Sequence, residues 1–369
     1  MKTKKFIISG GGTGGHIFPA ISIANGLKKR FPDAEFLFVG ALGKMEMERV
    51  PAAGYKIEGL PVSGFDRRNM FRNVKVLINL IKSNIRAKQI IKRFNPDIAI
   101  GVGGYASFPT LQMAAKAGVP TLIQEQNSYA GLSNKRLAKK AKKICVAYDG
   151  MQKFFPSDKI VKTGNPVREL KIGNDELKSA YEHFKLNPDK KTLLIVGGSL
   201  GARTINESIL NGIEKLSKQT DIQVIWQTGK LYIENIKSEL KTRNLELENF
   251  YISDFVSRMD YAYAVADLVV SRAGASSISE LCLLAKPSIF VPSPNVTEDH
   301  QTQNALALVN CDAAVLVKDV EAKEKLVDTA LEIINNDSKL KELSKNIETL
   351  AEKDSAKRIV NEIEKLIEN

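Results

Sequence analysis

Cysteine is scarce in this chain, with three residues among 369. Cys145, Cys282 and Cys311 are odd in number and far apart, and no two cysteines form a Cys-x-x-Cys pair. The sequence therefore indicates neither a disulfide framework nor a zinc site, and it favours the reducing cytoplasm.

Long apolar runs are also missing. The run Phe6–Ile8 near the N-terminus is too short to form the core of a signal peptide. No stretch of about 18 apolar residues occurs, so we expect no transmembrane helix. Any association with a membrane would then be peripheral.

The chain has no Asp-x-Asp pair, the carboxylate clamp of many metal-dependent enzymes that bind nucleotide sugars. We therefore expect no metal site and no required cofactor. The charge of a bound phosphate would instead be met by helix N-termini, by a hydroxyl such as that of Ser199 and by an arginine such as Arg168.

Positive charge is concentrated in one half of the chain. Residues 1–165 contain 28 Lys and Arg against 10 Asp and Glu, a net charge of +18, whereas residues 166–369 carry −6. Two runs without any acid, residues 67–96 and 134–143, contribute nine and six basic side chains. Such a patch suits an anionic partner, either nucleic acid or phospholipid.

The order of apolar and helical segments predicts the fold. A chain of this length suggests two domains of roughly 100 to 200 residues each. In both halves short β-branched runs alternate with helical stretches, which is typical of a parallel sheet flanked by helices, so we predict an α/β protein with two doubly wound, Rossmann-like domains. The predicted strands are residues 6–9, 36–39, 98–102, 120–124, 144–147 and 160–163, then 192–196, 222–227, 250–253, 268–271, 288–291 and 313–317.

A break in the pattern predicts the domain boundary. Glycine and proline in the segment 164–168 interrupt regular structure. We place the first domain at residues 1–165 and the second at 166–349. The C-terminal helix, within 350–369, has an apolar stripe and is expected to complete the first domain.

The most distinctive motif is the glycine turn from Gly10 to His16, which follows the first predicted strand. Glycines let backbone N–H groups approach an anion, and the following helix, expected from Phe18, adds partial positive charge. Gly10, Gly12 and Gly15 also match the dinucleotide fingerprint. That fingerprint needs an acid at the end of the second strand, which here ends in Gly40-Ala41-Leu42, so a dehydrogenase is disfavoured.

Further polar and glycine-rich motifs follow other predicted strands. In the second half these are residues 197–203, with Ser199 as a hydroxyl donor, and residues 271–280, which end in Glu280. In the first half they are residues 101–107 and 124–128. Ligands bind at the carboxyl ends of such strands, so we expect the loops of both halves to face one interdomain cleft.

These residues give the sequence a resemblance to the MurG family, the UDP-N-acetylglucosamine transferases of peptidoglycan synthesis, which have the GT-B fold of glycosyltransferase family 28. The resemblance is carried by seven ordered motifs over nearly the whole chain: Gly11–Ala20, Gly101–Pro109, Glu125–Lys135, Thr163–Arg168, Gly197–Arg203, Ser271–Glu280 and Glu298–Ala305. It implies inverting transfer of GlcNAc from UDP-GlcNAc to the 4-hydroxyl of undecaprenyl-diphosphate-linked MurNAc-pentapeptide. It also implies a role in cell-wall biogenesis, cell shape and cell division.

The resemblance also implies which residues bind each substrate. The first domain would bind acceptor and membrane, and the second would bind the donor. On the donor side, Ser199 and Arg168 would hold the diphosphate, Glu280 the ribose and the Val256 backbone the uracil. The whole donor set is Thr13, Gly14, Gly15, Asn127, Arg168, Ser199, Val256, Ala275, Ser276, Ser277, Ile278, Ser279, Glu280, Gln301 and Asn304, and the acceptor set is Gly14, Gly15, His16, Tyr105 and Asn127.

Transfer requires a base to take the proton of the acceptor hydroxyl. An ordinary imidazole titrates near neutral pH, so we hypothesise that His16 is the general base. Glu125 is a competing candidate.

An apolar stripe at helical spacing predicts how the basic half meets a membrane. Its residues are Val74, Ile78, Ile81 and Ile85, flanked by Lys75, Lys82 and Arg86, with Lys139 and Lys140 in the second basic run. A second stripe, Leu80, Ala87, Ile91 and Phe94, could equally face the lipid or the core. The family resemblance implies a peripheral protein at the cytoplasmic face of the inner membrane, with anionic phospholipid and other cell-wall synthesis proteins as partners.

Two other functions compete with this interpretation. Another GT-B glycolipid glycosyltransferase would share the fold and the nucleotide loops, but the motifs at residues 11–16 and 103–107 favour the family named above. A nucleic-acid-binding protein would explain the basic surface. It lacks the aromatic residues that stack on bases, and it leaves the glycine loops of the second half unexplained.

Overall fold

The computed structural model describes residues 3–62, 70–167, 173–245, 247–296 and 299–368, without the side chains of 70–75, 174 and 175. The chain forms two compact units. The first unit is Met1–Arg168 with Glu352–Asn369, and the second unit is Glu169–Ala351.

The first unit contains a parallel sheet of seven strands. The strands are β1 (Lys5–Ser9), β2 (Glu35–Ala41), β3 (Lys56–Leu60), β4 (Ile98–Gly101), β5 (Thr121–Glu125), β6 (Lys143–Val146) and β7 (Ile160–Lys162). Their order in the sheet is β3-β2-β1-β4-β5-β6-β7. The helices are α1 (Gly14–Arg30), α2 (Glu46–Ala52), α3 (Met70–Phe94), α4 (Ser107–Lys116) and α5 (Leu132–Leu137).

The second unit repeats this arrangement with six parallel strands. They are β8 (Lys191–Val196), β9 (Ile222–Gln227), β10 (Phe250–Ser253), β11 (Leu268–Ser271), β12 (Ser288–Phe290) and β13 (Val315–Leu316), in the order β10-β9-β8-β11-β12-β13. The helices are α6 (Asn174–Phe184), α7 (Arg203–Asn211), α8 (Ile213–Ser217), α9 (Ile233–Thr242), α10 (Met259–Val265), α11 (Ala275–Leu283), α12 (His300–Val309), α13 (Ala322–Ile334) and α14 (Asp337–Thr349). Both units are Rossmann-like, which confirms the predicted α/β fold class.

Burial on both faces of each sheet explains why most strands were visible as apolar runs. In β1, Phe6 and Ile8 pack with the helices on one face, whereas Ile7 packs with α3 and α4 residues on the other. The same burial raises the pKa of Cys145, in β6, to about 12. That thiol is therefore protonated and unreactive at neutral pH.

Two sequence-based predictions need correction. Strand β3 was missed because it lies at the edge of the sheet, where Lys56 and Glu58 interrupt the apolar pattern. Helix α1 begins at Gly14 rather than Phe18, so Pro19 lies inside the helix. Glycine disfavours a helix by about 1 kcal/mol per residue, but here Ile17 is completely buried and its packing outweighs that cost.

The last helix, α15 (Ser355–Glu368), packs against α1 in the first unit. Ile359 and Ile363 are completely buried there. A Cβ atom on Gly26 of α1 would lie 3.1 Å from Val360 Cγ2, so this glycine allows the two helices to approach closely. The end of the chain is thus part of the core of the first unit.

We expect Ile363→Ala to lower the free energy of unfolding of the first unit by about 2–5 kcal/mol, because it leaves a cavity between α1 and α15. Urea unfolding monitored by circular dichroism measures the loss. Lys357→Ala, an exposed change on the same helix, is the matched control and should cost less than about 0.5 kcal/mol. An equal cost for both variants would contradict the packing described.

Candidate active site

Each sheet has one point where the strand order reverses, and ligands of open α/β sheets bind outside the strands at that point. In the first unit it lies between β1 and β4, and in the second between β8 and β11. The four glycine motifs found in the sequence follow these four strands. The structure therefore places two glycine motifs in each unit, at the point where ligands of such sheets bind.

The loop after β1 leads directly into α1, whose first turn contains His16. Thr13 is the N-cap in extended conformation, and the first turn contains no acid. His16 Nδ1 lies 3.1 Å from the carbonyl oxygen of Gly11. Because a carbonyl only accepts, Nδ1 carries the proton in the neutral ring and Nε2 is its accepting nitrogen.

The loop after β4 packs against this histidine loop without any intervening side chain. Gly103 and Gly104 have φ of +92° and +85°, values that favour glycine. A Cβ atom on Gly103 would lie 2.8 Å from the His16 ring, and one on Gly104 would lie 2.3 Å from the Gly11 oxygen. The two loops thus form one continuous surface, with Tyr105 exposed beside it.

Glu125 is buried at the end of β5 and accepts four hydrogen bonds. Oε1 accepts from the backbone and side-chain N–H groups of Asn127, both at 3.1 Å. Oε2 accepts from the Gly131 N–H at 3.0 Å and from Asn134 Nδ2 at 2.8 Å. A carboxylate whose oxygens are already used in this way organises the loop 126–134 and is poorly placed to accept a substrate proton.

A buried amide network joins this strand end to the segment that leaves the first unit. Gln124 Nε2 donates to Asn165 Oδ1 at 3.1 Å, and Asn165 Nδ2 donates to the Gln126 carbonyl at 3.0 Å. Gln126 Nε2 also donates to the Val102 carbonyl at 2.9 Å. The network was missed from the sequence because its members come from separate strand ends. It fixes the connecting segment relative to the β4 and β5 loops.

In the second unit, the loop after β8 crosses the loop after β9 at two glycines. A Cβ atom on Gly201 would lie 2.0 Å from the Thr228 carbonyl oxygen, and one on Gly229 would lie 2.3 Å from that of Leu200. Gly198 has φ of +87° with open space beside it, and Ser199 is exposed. This loop can therefore present its hydroxyl and the α7 N-terminus to an anion.

Gln227, at the end of β9, links two predicted donor elements. Its Nε2 donates to the Gly198 carbonyl at 2.8 Å, and its Oε1 accepts from the Val256 N–H at 3.0 Å. Val256 can thus offer only its backbone carbonyl to a base. Nearby, Arg258 lowers the pKa of Asp260 mainly by donating hydrogen bonds to it.

Helix α11 supplies most of the remaining predicted donor residues. Ile278 is buried in the core, and Ala275 is buried at the start of the helix. Ser279 Oγ donates to the Ala275 carbonyl at 3.0 Å. Within the described part of the chain, the buried Ser276 hydroxyl has no hydrogen-bond partner. That hydroxyl and the backbone N–H groups of the first turn are therefore groups that a ligand could engage. Glu280, on the same helix, stays the predicted ribose ligand.

The other conspicuous polar residues around α11 connect loops. Arg272, in the same motif, donates to Asp319 Oδ1 at 2.5 Å and to the Val291 carbonyl at 3.0 Å. Gln301 Oε1 accepts from the Ser293 N–H at 2.9 Å, and the completely buried Asn304 donates to the Ala273 carbonyl at 3.4 Å. These contacts fix the ends of β11 and β12. Arg168 lies outside the described residues.

Comparison with known proteins decides the family. The models of the glycosyltransferase family 28 N-terminal and C-terminal domains match residues 6–146 and 192–359. One relative is the UDP-N-acetylglucosamine–N-acetylmuramyl-(pentapeptide) pyrophosphoryl-undecaprenol N-acetylglucosamine transferase of Parabacteroides distasonis. It is 63% identical to this chain over the full length of both proteins. It is 60% identical to the protein of that name from Bacteroides fragilis, over 98% of this chain and 95% of that protein.

The same family is found among solved structures. MurG from Acinetobacter baumannii is 26% identical with a TM-score of 0.77, over 98% of this chain and 99% of that one. The chain is a MurG-type member of glycosyltransferase family 28. This confirms the predicted family, the enzyme class and the GT-B fold class.

For this glycosyltransferase, the structure gathers the predicted residues into two groups, one in each unit. The first unit holds Thr13, Gly14, Gly15, His16 and Tyr105 on its paired glycine loops, with Asn127 on the neighbouring loop after β5. The second unit holds Ser199, Val256, residues 275–280, Gln301 and Asn304. The predicted ligand contacts of both groups, and the interdomain cleft, stay predictions.

The long helix α3 of the enzyme settles which apolar stripe faces outward. Ile78, Ile81 and Ile85 are 47%, 54% and 55% exposed, and Leu77, which was missed, is 60% exposed. Ala87 and Ile91 of the second stripe are buried in the core. Lys82, Arg86, Lys139 and Lys140 are exposed, whereas the side chains of Val74 and Lys75 lie outside the described residues. No helix of the described chain is long and apolar enough to cross a membrane.

The four bonds to Glu125 predict that Glu125→Gln destabilises the first unit by about 1–3 kcal/mol, since the amide cannot accept from all four donors. Urea unfolding checks this, with Asp158→Asn, an exposed change in the same unit, as the neutral control.

We also expect kcat of Glu125→Gln to fall less than in a His16 variant. Unchanged stability together with a loss of about 10²-fold or more in kcat would instead support Glu125 as the base.

Proposed function

We propose that the enzyme transfers GlcNAc from UDP-GlcNAc to the 4-hydroxyl of undecaprenyl-diphosphate-linked MurNAc-pentapeptide, with inversion at the anomeric carbon. The observation that carries this proposal is the placement of His16, in the first turn of α1, against the glycine loop after β4 at the switch point of the first sheet. The full-length relatives named for this reaction support the choice of substrates over those of another GT-B glycolipid transferase.

In this proposal the second unit binds the donor. The exposed Ser199 hydroxyl and the N-termini of α7 and α11, neither of which has an acid in its first turn, suit the diphosphate. Glu280 suits the ribose diol, and the Val256 carbonyl suits the N–H of uracil. The unpartnered Ser276 hydroxyl supplies one more donor. Because these groups can meet the phosphate charge, we propose that no metal ion or cofactor is required.

The first unit binds the acceptor in this proposal. The N-termini of α1 and α4, which also lack acids in their first turns, suit the lipid diphosphate. The acceptor oxygen attacks C1 of GlcNAc from the face opposite UDP, and the C1–O bond breaks as UDP departs with its electron pair. His16 Nε2 takes the hydroxyl proton, because Nδ1 is already bonded to Gly11.

We further propose that α3 docks on the cytoplasmic face of the cell membrane. The exposed stripe Leu77, Ile78, Ile81 and Ile85 would enter the interface, while Lys82 and Arg86 meet anionic headgroups. A groove of about 360 Å³ beside the stripe is lined in part by Lys82, Arg86 and an Arg93 that is paired with Glu58. Lys82 and Arg86 suit a phosphate headgroup. Lys139 and Lys140 would add to the attraction. We also propose cell-wall synthesis proteins as partners at this membrane.

His16→Asn is expected to lower kcat by about 10²–10⁴-fold, because the amide cannot take the proton of the attacking hydroxyl. The KM for UDP-GlcNAc should change much less than kcat, since most of the predicted donor contacts lie in the other unit. A radiolabelled transfer assay measures both values. The control is His183→Asn, which alters an exposed histidine packed against Phe184 and Tyr261. Full turnover of His16→Asn would rule out this histidine as the base.

The double variant Ile81→Ser/Ile85→Ser is expected to bind anionic vesicles about ten-fold or more weakly, because two half-exposed apolar side chains no longer enter the interface. Vesicle co-sedimentation at low salt measures binding. Val320→Ser, which alters an 87% exposed valine of the second unit, is the control.

High salt should also weaken vesicle binding of the unaltered enzyme, because it screens the basic side chains around the stripe. Equal binding of all variants would exclude α3 as the docking element. Release of the enzyme from vesicles by DNA would instead favour a nucleic-acid partner for the basic surface.

A further inference from the structure

We propose that Glu46 is a positioning residue for His16 and acts on it through the peptide group that joins Gly11 to Gly12. The inference rests on the proposed function of His16 as general base. It concerns a buried carboxylate that the sequence motifs did not reveal.

Glu46 is completely buried at the start of α2, and its two oxygens have different partners. Oε1 accepts from the Ala41 N–H, at the end of β2, at 2.9 Å. Oε2 accepts from the Gly12 N–H, in the histidine loop, at 2.8 Å. The carboxylate thus connects the end of one strand to the loop after its neighbour.

Two glycines make room for this carboxylate. A Cβ atom on Gly11 would lie 2.1 Å from Glu46 Oε1, and one on Gly40 would lie 2.6 Å from Glu46 Cγ. Neither glycine has a positive φ, so neither is required by its backbone conformation. Their lack of a side chain is explained by the space that Glu46 occupies.

The hydrogen bonds form a chain from the carboxylate to the imidazole. The Gly12 N–H that donates to Glu46 and the Gly11 carbonyl that accepts from His16 Nδ1 belong to one peptide group. A negative charge on the N–H side polarises that group and makes its carbonyl a stronger acceptor. The chain therefore favours the Nδ1–H tautomer, makes Nε2 more basic and stabilises the imidazolium that proton transfer creates.

Other charged groups of the described residues lie on the elements around the ring. Helix α2 also carries Glu48 and Arg49, both exposed. The loop after β4 contributes one ionisable side chain, that of Tyr105, and α1 carries its basic residues in the last turn, at Lys28, Lys29 and Arg30. Helix α15 meets α1 near Gly26, about 15 Å along the helix from His16. Among these charged groups of the described residues, Glu46 accepts a hydrogen bond from the histidine loop.

A purely structural role makes a different prediction from the proposed one. An acid at the start of α2 is favourable to the helix, and this accounts for an acid at that position without any effect on His16. If Glu46 had only this structural role, its substitution would lower stability and activity but would leave the tautomer and titration of His16 unchanged. The test therefore follows the ring itself.

The test uses the full-length enzyme labelled with ¹⁵N-histidine, whose imidazole signals are assigned with His16→Asn, since the chain has only three histidines. We expect the Nδ1–H tautomer for His16 in the unaltered protein. Glu46→Gln keeps the side-chain shape but removes the charge, so Nε2–H tautomer should appear and the ring should titrate at lower pH. Glu48→Gln, two residues away and exposed, is the matched control and should leave the ring unchanged.

The expected shift of the His16 titration to lower pH also predicts the kinetic consequences. A base must be neutral, so activity falls as pH drops through the titration of His16. In Glu46→Gln the acid limb of the kcat/KM profile should move to lower pH, and kcat at high pH should fall about ten- to a hundred-fold, less than for loss of the base. UDP binding by calorimetry, which reports the second unit, together with the unfolding midpoint shows whether the variant is folded.

The outcomes separate this inference from the proposed function. An inactive His16→Asn with an unshifted acid limb and tautomer in Glu46→Gln would overturn the role of Glu46 alone. A fully active His16→Asn would overturn the base assignment. If Glu46→Gln does not fold, the unaltered protein still decides, because an Nε2–H tautomer of His16 would contradict the hydrogen-bond chain.

Discussion

The structure depends on the close approach of backbone loops at the carboxyl ends of the strands in each sheet. In the first unit the loop after β4 lies directly against Gly11 and His16, and in the second the loop after β8 lies directly against that after β9. A single methyl group at Gly104 or Gly201 would collide with a carbonyl oxygen. These glycines are also in the left-handed region, so sterics and backbone conformation demand the same residue. The approach lets the loops pack as one surface next to the helix N-termini.

The fold was largely predictable because parallel strands buried on both faces are recorded in the sequence as short apolar runs. Strand β3 was not predicted because an edge strand needs fewer apolar residues, and its Lys56 and Glu58 resemble loop residues. The start of α1 was predicted wrongly for a different reason. Local propensity argues against a helix through Gly14 and Gly15, and only the burial of Ile17 in the folded unit reverses that preference.

The candidate site was predictable in its loops but not in the contacts that hold them. His16, Ser199 and Glu280 follow strands in recognisable motifs. Glu46 and Gln227 lie outside those motifs and meet their partners only through pairings between distant segments, 34 and 29 residues apart in the chain. Glu125 shows the converse: its motif made it a candidate base, but the four hydrogen bonds by which it organises its own loop could not be read from that motif.

The two glycine loops that resemble each other in sequence differ in what their polar groups are used for. In the first unit the Gly12 N–H donates to the Glu46 carboxylate and the Gly11 carbonyl accepts from His16, so the peptide between them is committed to holding the ring. In the second unit the neutral amide of Gln227, at the end of β9, supports the loop by donating to the Gly198 carbonyl. The carboxylate beside the first loop occupies one of its N–H groups, that of Gly12, whereas the amide beside the second loop is bonded to a carbonyl. The first loop therefore uses some of its polar groups to hold His16, and the lipid diphosphate proposed for this unit would be met by the remaining N–H groups at the N-termini of α1 and α4.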